Sequence, residues 1–115
     1  MQRGDVFMVD LDPSQGSESN KVRPAVIVSN NAANRTAERN GRGVVTVVPV
    51  TSNVARVYAF QVLLESGEGG LPVVSKAQAE QVRAVDFQRL RRRLGSVKPA
   101  SLKRLDEALR IQLAL

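Results

Sequence analysis

Two side chains in this sequence join a chemically useful type to a position at the end of a strand. Arg23 precedes Pro24, which restricts it to extended backbone, at the point where a polar stretch gives way to the apolar run Ala25-Val26-Ile27-Val28. Thr51 ends the most apolar run of the chain and offers a hydroxyl. A guanidinium stays protonated and its fork of donors matches phosphate oxygens, so it stabilises charge first and gives up a proton only with help. Taken alone, an Arg-Pro at a strand start and the turn Thr51-Ser52-Asn53 are more often purely structural.

The chain has neither histidine nor cysteine. That removes the commonest general base, the commonest metal ligand, thiolate zinc sites, disulfides and cysteine nucleophiles together. Chemistry here falls to arginine, lysine, carboxylates, hydroxyls and backbone amides, with no cofactor. RNA is a substrate that suits this set, because its own 2′-hydroxyl is the nucleophile. A protein acting on it needs to orient that group, stabilise the phosphorane charge and assist the leaving oxygen.

Composition sets the wider frame. Seventeen Lys and Arg against eleven Asp and Glu leave a net charge of +6, which favours polyanions or an acidic protein partner. Arginine outnumbers lysine thirteen to four. That skew suits bidentate phosphate contacts and equally follows from a GC-rich coding bias. With 115 residues, 43% of them hydrophobic, residues 1–115 are expected to form one domain with one core and no need of staples. The N-terminus shows no signal-peptide pattern and no run is long enough to span a membrane, so a cytoplasmic location is expected.

The elements that must hold Arg23 and Thr51 read as follows. Residues 6–11 begin as a strand, 12–20 form a turn-rich polar loop, and 25–28 are a second, buried strand. Residues 30–43 carry four Asn and three Arg, a surface stretch with helical turns around 32–39. The β-branched run 43–50 is a central strand, ended by Pro49 and the turn at 51–53. Strand character continues at 58–64, Ser66-Gly67-Glu68-Gly69-Gly70 reads as a mobile hairpin tip, and 73–74 and 80–83 read as two short strands, after which the sheet is expected to end. Asp86 is expected to cap a short helix with Leu90 and Leu94 on one face and Gly95 as its stop. A last helix starts at Pro99, with Leu102, Leu105, Leu109 and Leu113 as its apolar stripe and Asp106 and Arg110 paired on the outside. This describes a mainly β (α+β) chain, a small barrel-like sheet with helices on one side.

Six segments in order and spacing then resemble one family. Arg3-Gly4-Asp5-Val6, Val9-Asp10-Leu11-Asp12-Pro13, Gly16-Ser17-Glu18, Arg23-Pro24-Ala25-Val26, Val48-Pro49-Val50-Thr51-Ser52 and Glu80-Gln81-Val82-Arg83 look like the MazF/PemK toxins. The resemblance spans essentially the whole chain. It implies a small SH3-like β-barrel of the MazF/PemK/CcdB kind with a C-terminal helix, and a sequence-specific, metal-independent endoribonuclease toxin of a type II toxin–antitoxin system. It further implies a homodimer with single-stranded RNA in a groove across it and neutralisation by a cognate, MazE-like acidic antitoxin, and the lack of His and Cys adds the expectation of 2′,3′-cyclic phosphate and 5′-hydroxyl ends.

By the same resemblance Arg23 and Thr51 carry catalysis. Ser17 and Glu18 match a loop that lies over the RNA, Asn34 and Arg35 match an Asn-Arg pair of some relatives, and Ser52 and Gln81 match positions near the substrate groove. Many relatives have Gln after the Glu and Gly shortly before the Arg, where this chain has Ser19, Asn20 and Lys21. Some have His beside the Arg, where this chain has Val22. The 2′-hydroxyl proton therefore has Glu18 or a water as its acceptor. Two other readings stand beside this one, a non-catalytic RNA-binding module and a CcdB-like gyrase-inhibiting toxin. The first usually stacks bases on exposed aromatics, and here there are only Phe7, Tyr58, Phe60 and Phe87. Arg91-Arg92-Arg93 reads as a solvated face.

Overall fold

The computed structural model describes residues 1–11 and 22–115. Its strands are β1 (Asp5–Asp10), β2 (Val22–Ile27), β3 (Val44–Thr51), β4 (Gln61–Leu64), β5 (Ser75–Gln78), β6 (Arg83–Asp86) and β7 (Leu90–Ser96), with helices α1 (Asn31–Asn40) and α2 (Pro99–Leu113). Every recorded strand pair is antiparallel. The main path runs β4-β5-β3-β2-β1-β7, with β6 paired to the first half of β3. The mainly β fold with a C-terminal helix is thus as expected. The sheet itself is open, because its path ends at β4 and β7 without pairing the two.

Both faces of the sheet are covered, which is why β3 reads as a continuous apolar run and not as an alternating one. On one face Val6, Val26, Val48, Val50, Val62 and Leu64 pack under Leu105 and Ala108 of α2. On the other Val9, Leu11, Ala25, Ile27, Val45, Val47 and Val85 pack with Ala37 of α1. Pro49 does not end β3. On one edge Val44–Val47 pair with β6 and Val50 and Thr51 with β5, leaving a gap in which a residue without an N–H fits.

Several expectations are corrected. Asp86 does cap a turn, its carboxylate accepting from the Gln88 amide, but that turn is a single one at Phe87–Arg89. Leu90–Ser96 is then a strand on the edge of β1, so the sheet continues where a helix was expected. The strand expected at 73–74 lies at Ser75–Gln78, and residues 79–81 are a short turn ahead of β6. Glu68-Gly69-Gly70 is no free tip: a side chain on Gly70 would run into the Leu94 carbonyl, so backbone packs on backbone there. Asp106 pairs with Arg3 at 2.8 Å, and Arg110 pairs with Glu107 at 3.3 Å.

Two buried carboxylates fasten the last elements. Burial raises the Glu68 pKa, but hydrogen bonds from Ser101, the Lys98 amide and the Glu65 amide outweigh it and hold the group below its ordinary value. Glu68 accepts the Lys98 N–H at 3.0 Å and so caps α2, whose own N-cap residue, Lys98, has no acceptor. Asp5 behaves alike. Burial pushes it up, and the Ser96 hydroxyl, the Gln2 amide and Arg93 bring it lower than usual.

Candidate active site

Arg23 enters the structure through the register of the sheet. It pairs with Val9 on one side. On the other, β2 and β3 pair as Ala25↔Pro49, Val26↔Val48 and Ile27↔Val47, and this register continued by two residues sets Arg23 opposite Thr51. Thr51 in turn pairs with Lys76 of β5, and Lys76 with Leu63 of β4. Residues directly opposite across antiparallel strands project to the same face, so Arg23 and Thr51 share a face at one end of the sheet. A shallow pocket of 230 Å³ lies there, lined by Arg23, Pro24, Thr51 and Ser52 and closed by the chain between Leu71 and Ser75.

The local conformation of each side chain has a cause. Pro24 keeps Arg23 extended, and the guanidinium stands exposed with no ion pair among the described residues. Thr51 is half-buried, and its Oγ1 accepts the Asn53 amide at 3.1 Å while Asn53 accepts the Ala55 amide at 3.3 Å. These turns fix the direction of the Thr51 side chain and leave its hydroxyl proton available to donate. An arginine and a hydroxyl donor on one pocket can hold a phosphate oxygen pair and stabilise charge that grows on it.

Ser52 joins this site, exposed at the pocket wall. Gln81 is exposed on the turn between β5 and β6 and does not line the pocket. Ser17 and Glu18 lie outside the described residues. Asn34 and Arg35 are not brought to the pocket at all, because α1 follows β2 at the Ile27 end, the far end from Arg23. Asn34 is fully buried, donating to the Ser29 carbonyl at 2.9 Å and accepting the Ser29 hydroxyl, which itself accepts the Thr46 amide at 3.0 Å. It ties α1 to β3 and touches no surface. Arg35 is exposed on α1.

Two residues escaped the sequence reading. Lys76, only 8% exposed, stands opposite Thr51 and donates its Nζ to the Arg56 carbonyl, fixing the loop that follows Thr51. Arg83 donates to the Leu11 carbonyl at 2.7 Å and so fixes the backbone just after β1. Both bonds join residues far apart in sequence, and no local pattern marks them.

The family model for the PemK-like, MazF-like toxin of type II toxin–antitoxin systems matches residues 2–113. The chain belongs to the PemK/MazF toxin family. Among its relatives is Endoribonuclease MazF9 of Mycobacterium tuberculosis, 59% identical over 115 residues that cover 100% of this chain and 98% of the relative. Two solved structures are similar over 100% of this chain. An endoribonuclease in complex with its cognate antitoxin from a mycobacterial species gives a TM-score of 0.79 at 27% identity, covering 100% of this chain and 96% of that one. MazF of Deinococcus radiodurans gives 0.78 at 26% identity, covering 100% and 97%. Among the described residues of this PemK/MazF toxin, no helix is long and apolar enough to cross a membrane.

Proposed function

We propose that this toxin is an endoribonuclease that cuts single-stranded RNA without a metal ion, using the 2′-hydroxyl of the substrate as nucleophile. The observation that carries the reading is the shared face of Arg23 and Thr51 on one pocket. The name of the M. tuberculosis relative, an endoribonuclease, supports it. The 2′ oxygen forms a bond to the adjacent phosphorus and the bond from phosphorus to the 5′ oxygen breaks. Glu18 or a water accepts the 2′-hydroxyl proton, and the departing 5′ oxygen takes a proton from solvent. The Arg23 fork binds the two non-bridging oxygens as charge develops on them, and the Thr51 hydroxyl donates to one of them. Ser17, Ser52 and Gln81 serve the strand on either side of the scissile bond. The products are a 2′,3′-cyclic phosphate and a 5′-hydroxyl.

A net charge of +6 suits both the RNA and an acidic, MazE-like antitoxin that occupies the same groove. A mycobacterial relative has been solved with its cognate antitoxin. In this reading the toxin works as a homodimer in the cytoplasm, where its RNA is. The test is incubation of purified, antitoxin-free protein with long RNA in excess EDTA. Discrete fragments with cyclic phosphate and 5′-hydroxyl ends are expected. A requirement for added magnesium, or fragments with 5′-phosphates, would overturn the mechanism.

A further inference from the structure

The loop after Thr51 carries a feature that the reaction does not use. Tyr58 and Phe60 are stacked face to face, ring centroids 5.2 Å apart and planes 4° from parallel. The Arg56 guanidinium lies over the Tyr58 ring, 5.6 Å from its centroid, with Nη1 donating to the Tyr58 hydroxyl at 3.1 Å. The three groups thus form one pile that shares Tyr58 and opens to solvent toward Arg56: Arg56 is exposed, Tyr58 is 44% exposed and Phe60 is half-buried.

The pile is also held in place before anything binds. Lys76, opposite Thr51, fixes the Arg56 carbonyl. On the other side the Gln61 side chain accepts the Tyr58 amide at 3.1 Å, and the Gln61 amide donates to the Tyr58 carbonyl at 2.9 Å. The platform is therefore tethered to the strand end that presents Thr51. A flat cationic and aromatic surface of this kind is what an unpaired nucleobase stacks on, with the guanidinium adding attraction to the phosphate alongside.

We propose that Arg56 and Tyr58, backed by Phe60, form a stacking subsite for one unpaired base of the RNA strand next to the scissile phosphate. The proposal extends the reading of the pocket as an RNA site. It assigns base contact to residues outside the pocket and leaves the cleavage chemistry to Arg23 and Thr51.

The chain offers a direct reporter, because Tyr58 is its only tyrosine and it has no tryptophan. The protein is titrated with 2′-O-methyl oligoadenylate and oligouridylate, which keep bases and phosphates but lack the free hydroxyl, and with an abasic oligomer of the same length. Tyrosine emission, corrected for nucleotide absorbance, is read beside the anisotropy of the labelled oligomers. Base-bearing strands should quench the emission over the concentration range in which they bind, and the abasic strand should bind more weakly without quenching. Tyr58→Leu should weaken binding of the base-bearing strands by about tenfold and leave the abasic strand unchanged, with Tyr58→Phe close to wild type. Binding without quenching, no binding, or an equal loss for both kinds of strand in Tyr58→Leu overturns the proposal. Quenching by a protein that does not cut RNA would remove the endoribonuclease reading and keep the platform. Cutting without quenching would do the reverse.

Discussion

Charge and geometry at Arg23 separate in two substitutions. Arg23→Lys keeps the charge and loses the fork, so if Arg23 holds the phosphorane through directed bonds the variant stays severely impaired. Arg23→Ala should still bind RNA through the other basic side chains while its single-turnover rate at saturating RNA falls by about a hundredfold or more. Near-wild-type rates for both at saturation would make Arg23 a phosphate anchor only. Thr51→Ala should fold normally and lose about tenfold or more in rate, the scale of one hydrogen bond to a charged group, and an unchanged rate would return Thr51 to its turn. Backbone rules make the positions of these two residues legible in the sequence, since a proline keeps Arg23 extended and a long β-branched run sets the end of its strand at Thr51, while the catalytic role proposed for them comes from the family resemblance. Asn34 was not legible, because its burial depends on Ser29 and, through it, on the amide of Thr46 on another element. An Asn-Arg pair on a polar stretch gives no sign of which member turns inward.

At the scale of elements, the segment from Asp86 to Ser96 shows where local reading runs out. Leu90 and Leu94 stand four apart, as on one face of a helix, and Asp86 is a sound cap. Pairing with β1 wins, because that edge of β1 has no other partner among the described residues, and the bond from Ser96 to Asp5 spans 91 positions. The cap of α2 is equally remote, since Glu68 reaches it from 30 positions away. That contact gives stability a pH dependence whose sign is fixed. Glu68 and Asp5 titrate lower in the folded protein than they do ordinarily, so their contribution is complete above the ordinary carboxylate range and is lost as pH falls through it and on through the folded values. Thermal melts should therefore decline as pH drops below about 4. Glu68→Gln should start about 1 kcal/mol less stable at neutral pH and show a shallower acid limb. An acid limb as steep as that of the wild type would mean that Glu68 does not couple to folding.

For the whole molecule, the mainly β character and the terminal helix could be read from the chain, while the strand at Leu90–Ser96 and the shape of the sheet could not. Hydrophobic runs say that a strand is buried, not which neighbours it takes, and the open path from β4 to β7 follows only from pairing. The same pairing makes the site, for Arg23 and Thr51 are far apart in sequence and meet only because β2 and β3 share one register. The account of their joint role rests on the substrate supplying its own nucleophile. One substitution in the RNA tests that without altering the protein. A short RNA bearing a mapped cleavage site is compared with the same strand carrying a single 2′-deoxynucleotide on the 5′ side of the scissile phosphate. The account predicts that the modified strand binds as well as the parent and is not cut at that bond, and cleavage there at the parent rate would contradict it.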